Sequence, residues 1–323
     1  MMAAEAAGKS KDQLKKPKVV LVAPSQVKGV DWGLAFYYSF LVIAAMVMVF
    51  LLFYTSGTRE IITEYGNYAG RVIFGVPNGE GTLNYNDGRK YAGDFRFGKR
   101  HGTGTLTLPN GDVYKGEFRQ DKVTGQGTRV WPDGTKYTGE FKDGKMDGKG
   151  ALALPGGDRY EGDFTNDQME GQGTYVLANK NQYTGSFKNG RYEGTGAYTW
   201  ANGDRYEGEF KRGKMDGTGV YTWAKNRYEG DFKNGKFDGN GTKTSSDGSQ
   251  YIGGFRDANK EGQAQYVFPD GDKYIGEYRN DYPYSPNGKF RIVMNDGSET
   301  MAAYTRDNRT FKYYINPPPA PKK

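Results

Sequence analysis

Hydrophobic and polar positions alternate along most of this chain with a period of two, and the alternation is itself repeated. Tyrosines stand at 68, 91, 114, 137, 160, 183, 206, 228, 251 and 274, so eight of the nine intervals are 23 residues and one is 22. Counted from each tyrosine, position two is always glycine, and position four is aromatic from Phe95 through Tyr278, with Val72 the exception in the first unit. Tyr137, Gly139 and Phe141 therefore share one strand face, as do Tyr206, Gly208 and Phe210. Positions 11 and 13 are glycine in most units, for example Gly148 and Gly150, or Gly217 and Gly219. Large groups follow at 15 and 17: Leu152 and Leu154, Tyr198 and Trp200, Tyr221 and Trp223. A glycine between two rings leaves a hollow for a large side chain from an adjacent strand.

Asp87-Gly88, Asn110-Gly111, Asp133-Gly134, Asn202-Gly203, Asp247-Gly248 and Asp270-Gly271 sit just before the next unit's tyrosine. Such pairs supply the positive φ of tight hairpin turns. Each unit is thus one hairpin, and self-similarity at this period signals a stacked repeat architecture. The pattern predicts an all-β repeat array forming an elongated open antiparallel sheet of about 20 strands, roughly 95 Å long at ~4.8 Å per strand. The opposite strand face carries an acid followed two residues later by a base, as in Glu140 and Lys142 or Glu209 and Lys211. This reads as a solvated face with weak cross-strand pairs.

The periodicity fails before Tyr68. Residues 32–54 contain no charge and run through Leu41-Val42-Ile43-Ala44-Ala45-Met46-Val47-Met48-Val49-Phe50. A helix of that length spans roughly 34 Å, enough to cross a bilayer. Trp32, Tyr37, Tyr38 and Tyr54 fit interfacial anchors. Six lysines precede the span, against Glu5, Asp12 and Asp31, giving +3 of the total net charge of +7. The positive-inside rule then places the N-terminus in the cytoplasm, or in the matrix or stroma if the membrane is an organelle inner membrane such as the mitochondrial one. The array falls on the opposite side. The chain accordingly divides into a flexible Lys-rich tail over 1–31, a single transmembrane helix over 32–54, a linker over 55–67, the array over 68–297, and a C-terminal cap with a Pro/Lys tail over 298–323.

Composition narrows the chemistry. There is no Cys, which removes thiol nucleophiles, disulfides and thiolate metal sites, and His101 is the single histidine. It reads as a solvated turn residue. The array is nearly charge-balanced, so no basic stripe for nucleic acid is visible. The Gly-x-Gly pairs lack the third glycine of a dinucleotide loop and the Lys-Ser/Thr of a P-loop. Carboxylates recur at homologous positions, and no unique pair is singled out for acid/base work. No catalytic residue, cofactor, metal or small-molecule substrate is expected.

Tyr137-Thr138-Gly139-Glu140-Phe141-Lys142-Asp143-Gly144-Lys145-Met146-Asp147-Gly148-Lys149-Gly150 resembles throughout the repeat of the MORN family (membrane occupation and recognition nexus), and Tyr206 to Gly219 does so equally. About ten tandem copies cover some two thirds of the chain. The last is degenerate, with Ser285 and Asn287 at the two glycine positions. The resemblance implies tandem hairpins and a non-enzymatic scaffold that binds other protein subunits. Here that means an accessory or assembly subunit of a membrane protein complex. It also admits a phospholipid-binding tether or junction organiser, with anionic phospholipid as the partner, and a regulatory partner of an enzyme supplied in trans. A single-layer sheet cannot bury both faces. Tyr198, Trp200, Tyr221 and Trp223, the bulkiest adjacent pairs, are the expected partner-binding face, the alternative being that they only pack on neighbouring hairpins.

Overall fold

The computed structural model describes residues 32–55, 57–305 and 310–313. The tail over 1–31 and the final Pro/Lys segment lie outside the described residues. The chain separates into two compact units, one ending at Thr55 and the other beginning at Ser56.

The first unit contains α1 (Trp32–Thr55), a single helix. Its stretch Gly33–Phe50 is long and apolar enough to cross a membrane, and none of that stretch is buried.

The second unit is one antiparallel sheet with 24 strands among the described residues. They run in chain order from β1 (Gly57–Thr63) and β2 (Gly66–Ile73) to β23 (Glu299–Thr305) and β24 (Thr310–Tyr313). Each hairpin strand pairs with its sequence neighbours. Strands β8 (Lys136–Lys142) and β9 (Lys145–Ala153) illustrate the unit: β8 meets β9 with Tyr137 opposite Leu152 and Gly139 opposite Gly150.

The segment expected as a linker, 55–67, is a correction. It holds β1, whose seven residues pair with β2 from Gly57↔Val72 to Thr63↔Gly66. Ile61 faces Tyr68 across that ladder and packs on the core. Without β1 the first hairpin would present an open edge. At the far end, β20 (Lys273–Arg279) pairs with the short β21 (Tyr282–Tyr284) and with β22 (Lys289–Val293), so the degenerate tenth unit splits its second strand in two. Pro283 and Ser285 break the run there. Strands β22 to β24 continue the ladder, with Ile292 and Ala302 fully buried. The Tyr304 ring lies edge to face with Phe290, the ring centres 6.2 Å apart.

Two kinds of turn alternate. The Asx-Gly pairs that precede most of the tyrosines close three-residue loops in which only the glycine is left-handed. Gly111 has φ 94°, its N–H donates to the Leu108 carbonyl at 3.0 Å, and the Leu108 N–H donates to the Asp112 carbonyl at 2.8 Å. The two-residue turns with both residues at positive φ lie inside the unit, six and seven residues past the tyrosine. Asp143 (51°) and Gly144 (87°) form one, and Asn189 (49°) and Gly190 (73°) another. That is the geometry whose twist matches the strands.

Candidate binding surfaces

The repeat-defining glycines form a seam that crosses the sheet. Gly70 lies opposite Gly81, Gly81 opposite Gly93, Gly93 opposite Gly104, and Gly104 opposite Gly116. The same pairing joins Gly127, Gly139, Gly150 and Gly162, and later Gly196, Gly208, Gly219 and Gly230. Ala264 is the substitute opposite Gly253. The ring over each glycine pair comes from the same strand, and this corrects the expectation of a filler from an adjacent one. Tyr137 folds back over Gly139 and Gly150, and its hydroxyl donates to the Glu140 carbonyl at 2.9 Å. Tyr206 does likewise over Gly208 and Gly219, donating to Glu209 at 2.9 Å. A residue two places on lies under the ring, and only glycine has no side chain to collide with it.

On that seam the rings build a ladder. Tyr137 meets Phe141 of its own unit and Phe164 of the next, both edge to face at 5.0 Å. The same alternation runs from Tyr68 through Tyr206 and Phe210 to Phe290 with centroids 4.8 to 5.7 Å apart. Edge-to-face pairs are favoured by the ring quadrupole. Burial pushes the Tyr137 and Tyr183 phenols up to about 12, so neither supplies a phenolate at neutral pH. These rings are the core and offer no surface.

The acids that stand three residues past most of the tyrosines correct the picture of a merely solvated face. The ladder between the two strands of a hairpin shifts register after the seam glycine, as between Gly139 and Phe141. Gly148 and Gly217 sit in this bulge at φ 110° and 105°. The bulge frees the N–H of the following residue, and the acid accepts it: Glu140 from Lys149 at 3.2 Å, Asp163 from Gln172 at 3.0 Å, Glu209 from Thr218 at 3.0 Å. The Thr218 N–H holds the Glu209 carboxyl below the usual range. A second set of acids, ten residues past the tyrosine, accepts the N–H of the next unit's turn: Asp147 from Asn166 at 3.2 Å and Glu193 from Arg212 at 2.8 Å. Sequence alternation could not separate these backbone clamps from exposed charge.

Above the ladder the structure brings all four partner-face candidates together. Tyr198 lies 4.6 Å from Trp200, Trp200 5.3 Å from Tyr221, and Tyr221 is stacked on Trp223 at 5.0 Å. All four are half-buried, with one side of the strip packed on the core. Tyr198 Oη accepts a hydrogen bond from Asn181 at 3.0 Å, and Lys243 Nζ sits 5.6 Å from the Trp223 ring centre. Two members escaped the sequence reading. Tyr192 and Phe237, nine residues past their tyrosines, stack on Tyr183 at 3.9 Å and on Tyr228 at 3.8 Å, and extend the strip underneath. Their signal was an aromatic at a ninth position that is otherwise Met, Val, Pro, Arg or Lys.

The polar face carries an open groove of about 1250 Å³ along the seam, bordered by Thr82, Ala92, Thr105, Lys115 and Thr128, and a further 770 Å³ past Thr138. It contains no asymmetric acid/base constellation, and no group of metal-ligating side chains occurs among the described residues. His101 lies half-buried on a strand, Lys99–Thr107, and not in the turn expected for it. Its neighbour Arg100 occupies the ninth position and is buried, with Nη2 donating to the Asp121 carbonyl at 2.7 Å.

The MORN repeat matches this chain nine times between residues 68 and 273, over more than half its length. The chain belongs to the MORN repeat family. No curated protein matches it. Among solved structures, the TCP10 domain of Danio rerio CPAP in complex with a STIL peptide is similar at 12% identity and TM-score 0.36, over 75% of this chain and 97% of that one. The SAS-4 (dCPAP) TCP domain of Drosophila melanogaster, in complex with a proline-rich motif of Ana2, is similar at 15% identity and TM-score 0.26, over 56% and 87%. The TM-scores are low, and nothing about binding follows from them. The MORN matches end before Tyr274, in whose unit Ser285 and Asn287 replace the two second-strand glycines.

Proposed function

We propose that this MORN protein is a non-enzymatic, membrane-anchored scaffold, an accessory or assembly subunit of a membrane protein complex. In this reading α1 crosses the bilayer once, with the lysine-bearing tail on the cytoplasmic, matrix or stromal side and the array on the other. The observation that carries the binding role is the strip Tyr198, Trp200, Tyr221 and Trp223. Half-exposed, contiguous aromatic groups over a rigid, independently buried ring ladder have the character of interface anchors.

Two results are expected. In the Trp200→Ala, Trp223→Ala double variant, purified from its own membrane, co-purifying subunits should be lost while the melting temperature stays near that of the parent. Interface anchors of this type contribute about 2 kcal/mol or more each on truncation. A collapse of folding, with binding by the remaining folded fraction unchanged, would return these rings to the core. In sealed vesicles, protease added from the side holding the lysine tail should spare the array, and digestion of residues beyond 57 from that side would reverse the topology.

A further inference from the structure

The aromatic strip does not run unchanged to the end of the sheet. The eighth unit carries Lys243 and Ser245 at the two positions where the sixth carries Tyr198 and Trp200 and the seventh Tyr221 and Trp223. Lys243 stands opposite both Tyr228 and Tyr251, so this gap lies on the strip's own face. The rings resume in the ninth unit with Tyr266 and Phe268, edge to face at 4.9 Å. Beside them Lys260 takes the ninth position, where Tyr192 and Phe237 stack on the tyrosines of their units. Its ammonium lies 4.9, 5.0 and 5.5 Å from the ring centres of Tyr251, Tyr266 and Tyr278. Two lysines thus stand where neighbouring units stack ring on ring.

The result is a hollow of about 310 Å³, bordered by both lysines, by Tyr266 and Phe268, and across from them by Tyr282 and Tyr304. Rings make its walls, while phenol and ammonium groups supply hydrogen-bond donors. The carboxylate on its rim, Asp281, already accepts the Lys260 N–H at 2.9 Å. An occupant that fits such a lining brings apolar surface and carbonyl acceptors, and few donors of its own. A run of prolines has that chemistry, since proline lacks the N–H and the polyproline helix leaves its carbonyls unpaired. Such segments dock on aromatic walls at small entropic cost because their extended form exists beforehand.

This chain carries one within reach. Strand β24 ends at Tyr313, opposite Ala302, and Tyr314-Ile315-Asn316-Pro317-Pro318-Pro319-Ala320-Pro321 follows. Strand β19 (Asn259–Val267), which delivers Phe268, lies four strand pairings from β24, about 19 Å at ~4.8 Å each. Residues 314–321 extend about 25 Å at ~3.1 Å each. Strand β15 (Lys214–Trp223) is eight pairings away, about 38 Å, and lies beyond them. We infer that the hollow is a polyproline-binding site and that residues 314–321 of the same chain occupy it, with proline rings against Tyr266, Phe268 and Tyr304 and carbonyls accepting from Lys243 and Lys260. A short tether holds the segment at an effective concentration on the order of millimolar, so it outcompetes a dilute proline-rich partner. The docked segment closes this end of the strip and leaves Trp200 and Trp223 uncovered. The inference is independent of the membrane anchor and of what those tryptophans bind.

Because the chain has no cysteine, two spin labels can be set cleanly on the full-length protein in detergent. One goes at Ala320→Cys and the other at Ser246→Cys, an exposed loop position beside Ser245. Their separation should be a single narrow distribution. Pro317→Ser, Pro318→Ser and Pro319→Ser together should broaden it, and so should Lys243→Glu, which sets an acceptor against the segment's carbonyls. A fluorescent synthetic peptide of residues 314–323 should bind the triple serine variant about tenfold or more tightly than it binds the parent, whose own segment competes. A broad distribution in the parent overturns the inference, as does a narrow one that survives either set of substitutions. If Lys243→Glu lowers the melting temperature, the serine variant decides, since its changes lie outside the array. A narrow peak that appears only on mixing singly labelled copies would place the segment on a second copy and overturn occupation in cis. Equal peptide binding by parent and serine variant, or none by the variant, overturns the inference too.

Discussion

Gly139→Val is expected to unfold the middle of the array, and the smaller Gly139→Ala to destabilise it substantially. The glycine is required for space and not for φ, since no left-handed conformation occurs at this position. A Cβ at 139 would stand 2.5 Å from both the Gly150 Cα and the Lys149 carbonyl oxygen, and 2.6 Å from the Tyr137 hydroxyl. Two of those three are backbone of a paired strand and cannot rotate away. Overpacking of a closed site costs about 1 to 3 kcal/mol, and contacts against fixed backbone belong at or beyond the upper end. Gly150→Ala should cost less, because the three atoms nearest a Cβ there all belong to the Tyr137 side chain, which can shift at the loss of its bond to the Glu140 carbonyl. Ala264 occupies the corresponding place in the ninth unit, with Tyr251 still buried and still bonded to the Gly254 carbonyl at 2.8 Å. Chemical denaturation of the two alanine variants checks the order, and Gly150→Ala proving the more damaging would contradict this account of the seam.

The period of Tyr, Gly and Phe made the sheet, its hairpins and its aromatic face legible, because every unit repeats the same side-chain parity. What stayed hidden depends on backbone departures that parity does not encode. The bulge at Gly148 turns Glu140 from an exposed charge into the acceptor for the Lys149 N–H, yet in sequence Glu140 and Lys142 look like any alternating surface pair. Strand β1 was missed because its seven paired residues lie before the first tyrosine, outside the period. The strip around Trp200 and Trp223 was readable from residue size. Its contiguity across two units was not, since that arises from the antiparallel stacking of one hairpin on the next.

Phe164→Ala is expected to cost about 3 to 5 kcal/mol, the range for deleting a buried ring from a core that relaxes incompletely. Phe164 is 2% exposed and is edge to face with Tyr137 at 5.0 Å and with Tyr160 at 5.1 Å. Its removal cuts the ring contact from Tyr137 forward to the next unit's ladder. Phe164→Leu retains most of the volume and should cost about 1 kcal/mol, the part that depends on ring geometry. Each hairpin contacts chiefly its neighbours, so stability along such an array is a sum of local terms. Amide hydrogen exchange should therefore accelerate around Tyr137, Tyr160 and Met169 in the alanine variant, while the strands carrying Tyr68 and Tyr274 keep their protection. Equal acceleration at both distant ends would mean that the ring ladder couples the whole sheet into one cooperative unit, and the local description of its stability would have to be abandoned.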